Sequence, residues 1–283
     1  MPKIKDIYNG AKETIGDVAE HINVENMLVQ ISKVPGIKVD RTKFLEKELK
    51  VLYPPEIVQK AIDHSPAYAG IPKSAIDIIA KRAIRLETNK VSVLSFAAGV
   101  PGGTAMLGTI PADLTQYFAF SLRIMQKLAY LFGFQEFEIN ESEIDDNTIN
   151  EMLLFLGIMF GAQEANAGVK ILAQAAAAQA VKKLERAAIM QIPAYVGLKN
   201  LAKYLGLQMN RQILQKAIGG AIPVAGGLIM GGISFTTFRI SASRLRKRFL
   251  ELPIADPDFY KDQQQVDAFI KEPIDAEFTS IEI

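Results

Sequence analysis

Apolar side chains return every three to four residues along most of this chain, and that spacing commits it to helices. Phe44, Leu45, Leu49 and Leu52 form one such stripe, with Lys43, Glu46, Lys47 and Lys50 turned away from it. Pro54-Pro55 ends that segment and opens the next, whose stripe is Ile57, Val58, Ala61 and Ile62. After the turn at Ser65–Pro72 comes a helix carrying Ile76, Ile79, Ala80 and Ala83. Ser74 with Asp77 three residues on has the form of a capping box at its start. Further helical patterns cover Ile110–Phe132, Asn147–Glu164, Val169–Met190 and Leu198–Ala217. No series of alternating segments is separated by turn dipeptides, so the expected fold class is all-α, a multi-helix bundle.

Composition narrows the function classes. Thirty-two basic side chains against 31 acidic ones give a formal net charge of +1, which removes the electrostatic footprint of a general nucleic-acid binder. With no cysteine the chain has no disulfide, thiolate metal site or cysteine nucleophile. Its two histidines, His21 and His64, have no partners at metal-ligand spacing, and His64 before Ser65-Pro66 reads as a turn residue. No metal and no cofactor are expected. The start, MPKIKDIYNGAKETIGD, is broken by charges and does not read as a secretory signal, which leads to an expected cytoplasmic location.

Two stretches, Val91–Ala112 and Ala217–Phe238, each run 22 residues without a charge, although 49% of the chain is hydrophobic and charges are frequent elsewhere. About 20 apolar residues suffice to span a bilayer. Both are interrupted, the first by Pro101-Gly102-Gly103 and Pro111, the second by Pro223 and three Gly pairs. Two short arms joined by a bend are the expected form of each, an apolar helical hairpin. Basic residues stand on both flanks of the second stretch, Lys203, Arg211 and Lys216 before it and Arg239, Arg244, Arg246, Lys247 and Arg248 after it. A single crossing would concentrate them on one side. The hairpin therefore dips into a membrane or into the protein's own core, and Arg244, Arg246, Lys247 and Arg248 are candidate membrane contacts. Gly99, Gly102, Gly103, Gly226, Gly227 and Gly231 are candidate close-packing positions, and Gly157–Gly161 repeats the four-residue Gly spacing that lets helices touch.

The most patterned segment is IPADLTQYFAFSLRIMQKLAYLFGF, residues 110–134. Thr109 caps it and Pro111 sits in its first turn. Leu114, Phe118, Leu122, Met125 and Ala129 share one stripe, while Asp113, Gln116, Arg123 and Lys127 share another. With Tyr117, that polar stripe is a candidate for binding a partner, a head group or a buried counter-charge; the plainer reading is a solvated face with an internal ion pair. Asp145–Thr148 reads as a surface loop entering a helix. Residues 1–252 read as one helical domain. From Pro253, acidic residues from Asp256 to Glu282 are opposed only by Lys261 and Lys271, so residues 253–283 are expected to form an acidic, loosely ordered tail. GVPGGTAMLG is no phosphate loop, because no Lys-Ser/Thr follows, and no Gly-x-Ser-x-Gly elbow exists.

The run at residues 110–134, preceded by GVPGG and Met106, resembles the signature of the EcsC family of bacterial proteins. AIPVAGGLIMGGISFTTFRISASRLRKRF is similar to the Pro- and Gly-rich ending of that family. The resemblance implies a setting in ABC transport or envelope function and brings no catalytic residues. The leading expectation is a non-enzymatic accessory protein, peripheral to the inner face of the cell membrane. Its partner would be the inner membrane surface or a membrane protein such as an ABC transporter, and no nucleic acid. Two other readings stay open: a soluble helical protein with an apolar, lipid-like ligand in a Gly-lined interior, and an enzyme using Asp113 and Arg123.

Overall fold

The structure, a computed structural model, describes residues 24–91, 112–139, 144–182, 201–206 and 226–272. Among these the chain is helical, with no strand and one isolated bridge between Ile139 and Ile144. The elements are α1 (Val24–Ser32), α2 (Arg41–Leu49), α3 (Pro55–Asp63), α4 (Lys73–Val91), α5 (Ala112–Leu131), α6 (Asp146–Phe160), α7 (Ala165–Lys182), α8 (Gly226–Glu251) and α9 (Gln263–Lys271). Two 3-10 turns, Pro253–Ala255 and Pro257–Lys261, link α8 to α9. The all-α bundle expected from the periodicity is the fold observed.

Helix α5 is the axis of the bundle and packs against α1, α2, α4, α6 and α8. Its stripe of Phe118, Leu122, Met125 and Ala129 is fully buried. So are Ile124, Leu128 and Tyr130 on its other sides. The sequence pattern suggests an amphipathic helix with a solvated polar face; instead other helices enclose it nearly all round, as expected for a central helix. Phe134, Phe155 and Phe249 meet with ring centroids 4.8–5.0 Å apart and join the far end of α5 to α6 and α8. Burial of each such ring contributes roughly 1.5–3 kcal/mol.

Two aromatic contacts set the relative direction of α5 and α8. Tyr117 meets Phe238 at 6.1 Å, and fifteen residues further on, just past the end of α5, Phe132 meets Phe249 at 5.8 Å. The two helices therefore run the same way and carry their N-termini at one end of the bundle.

Local chemistry explains several boundaries and corrects others. Asp145 caps α6 by accepting from Thr148 N, and Gly161 ends it in the left-handed region at φ 90°. Gly161 is thus a C-cap and does not complete a helix-contact motif with Gly157. Gly157 itself is a close-packing position, since a Cβ there would stand 2.8 Å from Leu201 Cδ1 and 3.0 Å from Ala165 Cβ. Helix α4 begins at Lys73, directly after Pro72, so Ser74 lies inside it. No capping box forms there, because the Asp77 carboxylate is held by Lys81 and Arg246. Leu52 leaves the α2 stripe: the helix stops at Leu49, and Leu52 is exposed beyond its end.

The acidic segment is also corrected in part. Over residues 253–271 it is ordered and packed, with Ile254, Phe259, Val266 and Phe269 buried against the core. Asp256 accepts from Asp258 N, and Asp262 from Gln264 N and Gln265 N, so these carboxylates cap short helices. Gln174 of α7 donates to the carbonyls of Phe269 and Glu272, and Lys170 pairs with Glu272 at 2.7 Å. Residues 273–283 lie outside the described residues.

Of the two uncharged stretches, residues 92–111 and 217–225 lie outside the described residues, and Gly99, Gly102 and Gly103 with them. From Gly226 onward the second stretch belongs to one helix, Gly226–Glu251, 26 residues long. Gly226, Gly227 and Gly231 fall in its first turns, where the surroundings of the residues are not described.

Candidate functional site

The ionisable centre of the bundle is built on α4 and α5. On α4 the buried positions Ile76, Ala80 and Ala83 continue at the same spacing to Glu87, which lands on the core side. Its side chain is 0% exposed. Arg123 donates to it through Nε and Nη2, at 3.3 and 3.4 Å, and Lys127 donates to Oε1. Lys127 also stands 5.6 Å from the centre of the Phe44 ring. Burial is the largest influence on Glu87 and pushes its pKa up. The charge and hydrogen bond of Lys127, then those of Arg123, outweigh it and hold the carboxyl below its ordinary value of 4.5.

Beside this cluster the fully buried Gln126 accepts from Val39 N at 2.9 Å and donates to the carbonyls of Ile37 and Leu122. One amide thereby pins the segment before α2 to the central helix. Arg41 does the same at the far end of α5, donating to the carbonyls of Phe134, Ile62 and His64. His64 takes its place in that corner as a turn residue, with Nδ1 2.7 Å from Ala180 O and its ring stacked on Tyr68.

Arg123 and Lys127, expected on one stripe, are indeed brought together, and the counter-charge they meet is Glu87. Tyr117 is buried among Phe118, Phe160 and Phe238, with its hydroxyl 3.4 Å from Ser241 Oγ. Asp113 and Gln116 lie in the first turns of α5, and their side chains are outside the described set. His21 is outside it as well. Glu87, Arg41 and Gln126 are the residues that stripe counting passed over. Each stands at i+3 or i+4 from buried apolar residues of its own helix, and that position in an otherwise apolar series is the signal that could have found them.

Chemically, a carboxylate held ionised by two cations is a poor general acid or base at neutral pH, where an effective group titrates near the working pH. Among the described residues no group of His, Asp and Glu could hold a metal ion. The arrangement is suited to locking helices together.

The four candidate membrane contacts divide sharply. Arg244 donates to Met159 O, Arg246 pairs with Asp77, and Arg248 reaches Asn166 O and Glu251. Lys247 is exposed. Three of the four are therefore committed to acceptors of the protein itself. No family model, no curated protein and no solved structure matches this chain.

Proposed function

We propose that this protein is a non-enzymatic accessory protein held peripherally on the inner face of a bacterial membrane. Its setting is the transport or envelope function implied by the EcsC resemblance, with an ABC transporter as a candidate partner. The observation that carries this reading is the parallel course of α5 and α8. Because their N-termini share one end of the bundle, the uncharged stretch ending at Ala112 and the one leading into α8 both join the bundle at that end. Two apolar segments that join the bundle at one end suit attachment to a membrane surface. Among the described residues no helix is long and apolar enough to cross a membrane, which supports contact from one side.

Fractionation tests this directly. The protein is expected to sediment with cell membranes, to resist a low-salt wash and to be released by an alkaline wash. Recovery of all of it in the soluble fraction of gently lysed cells overturns the reading.

A further inference from the structure

The chain is nearly neutral, yet its charge is unevenly placed. Helices α4 and α8 together carry ten Lys and Arg against three Asp and Glu. Of those three acids, Glu87 is buried and Asp77 is held between Lys81 and Arg246. The two helices pack side by side, and the shared Asp77 marks their seam. On α4 the outward face spans Ile78, Lys81, Arg82, Arg85 and Leu86, all exposed, up to the α2 side where Arg82 meets Glu48. On α8 Arg246 leans to α4 and Arg244 to α6, and Arg239, Ile240 and Lys247 stand exposed between them.

Large exposed apolar side chains gather on the same surface. Ile78 is 67% exposed, Leu86 47% and Ile240 49%. Val51 and Leu52, also exposed, follow Glu48 by one turn and so border α4 on its other side. Single aliphatic side chains set among long basic ones are the pattern of a face that lies in a lipid head-group layer. There the cations meet phosphates, and the aliphatic tips enter the acyl boundary. The core of a protein–protein interface is instead depleted of charge, of lysine above all.

We infer that the exposed faces of α4 and α8 form a docking surface for anionic phospholipid, with Arg85, Arg239 and Lys247 contacting phosphate and Ile78, Leu86 and Ile240 inserted between head groups. This rests on the membrane-peripheral reading and assigns its contact to exposed residues of these helices other than the committed Arg246 and Arg248. Helix α4 ends at Val91, where the first uncharged stretch begins, and α8 begins inside the second.

The test is co-sedimentation of the full chain with two vesicles, phosphatidylcholine alone and phosphatidylcholine with phosphatidylglycerol, at low and high salt. The wild type is expected to bind the anionic vesicle only and to weaken with salt. The triple variant Arg85→Glu/Arg239→Glu/Lys247→Glu is expected to bind at least about 100-fold more weakly, since each cation near the surface contributes about a factor of five. Ile78→Ser/Leu86→Ser is expected to bind weakly at any salt. A control, Lys43→Glu/Lys47→Glu/Lys271→Glu, reverses three cations off the face and is expected to retain most of the affinity. Circular dichroism melts within a few degrees of wild type ensure that folding is not what changed. Wild-type and face variants bound equally to the anionic vesicle would show the face to be wrong while leaving the membrane reading intact. Protein that sediments with cell membranes yet ignores both vesicles rejects lipid as the occupant in favour of a membrane protein. A dimer in sedimentation velocity that the triple variant abolishes assigns the face to a second copy of the chain and overturns the proposal. Failure of the wild type to bind either vesicles or cell membranes removes both readings together.

Discussion

Lys127 of α5 donates to the carboxylate of Glu87 on α4 at a point where the Glu87 side chain is wholly out of solvent. The pair, with Arg123, ties the central helix to its most extensive neighbour. Removing the anion leaves two cations facing each other in a site where water can reach them only in part.

Glu87→Ala is therefore expected to cost about 3–5 kcal/mol in urea unfolding at pH 7, and Glu87→Gln less, because the amide still accepts. The acid limb follows from the sign of the shift. Glu87 is held below its ordinary value of 4.5, so its contribution is complete above that value and is lost as the pH falls through the lower folded-state value. Wild type should thus lose its margin over Glu87→Gln only on acidification below the ordinary glutamate range. A margin independent of pH from neutral to strongly acidic conditions excludes the ion pair as its source.

Arg41 offers a second test. Its guanidinium is buried and serves carbonyls at the end of α3 and after α5. Burial lowers its pKa from the ordinary guanidinium value, but the group stays charged at neutral pH. Arg41→Ala is expected to cost about 3–5 kcal/mol, since each buried acceptor left unpaired costs about 1–3 kcal/mol. Arg41→Lys recovers only part of that, because an ammonium cannot reproduce the planar fork. Equal stability of Arg41→Lys and wild type in a denaturant titration counts against this account.

Gly168, in the first turn of α7, packs on Leu154 of α6. A Cβ there would stand 2.9 Å from Leu154 Cδ1 and closer still to Cδ2. Gly168→Ala gains about 1 kcal/mol in helix propensity but overpacks the contact by about 1–3 kcal/mol. A net loss is expected, and Leu154→Val in the same chain should relieve part of it. Simple addition of the two single effects would show that the residues do not share the contact.

The fold was legible because burial follows helical spacing: Phe44, Leu45 and Leu49 on α2 and Ile76, Ile79, Ala80 and Ala83 on α4 are all in the core. Two physical effects hid the rest. Helix α5 looked half-solvated because Arg123 and Lys127 are charged, and their partner lies 36 and 40 residues earlier, beyond the reach of any local pattern. The segment after Pro253 looked loose because acidity was read as solvation. Asp256 and Asp262 instead spend their charge on backbone N–H groups, while Phe259 and Phe269 anchor the same residues. Candidate membrane contacts suffered from the same limit, since charge is visible in a sequence and the acceptors of Arg244 and Arg246 are not.

Those acceptors make neighbouring arginine and lysine behave differently. Arg246 and Asp77 pair at the seam of α4 and α8, with side chains 12% and 18% exposed. Lys247, next in sequence, points to solvent. Removing Arg246 leaves Asp77 with Lys81 alone, so the loss is smaller than for Glu87. Arg246→Ala is expected to cost about 1.5–3 kcal/mol, the range for a hydrogen bond to a charged group. Lys247→Ala should stay within about 0.5 kcal/mol of wild type. A double-mutant cycle with Asp77→Ala isolates the pair and should return a coupling of about 0.5–3 kcal/mol. In that cycle Asp77→Ala/Lys247→Ala should be additive. Coupling of the same size for both pairs would mean that Asp77 responds to the basic surface as a whole, and that Arg246 is not its specific partner.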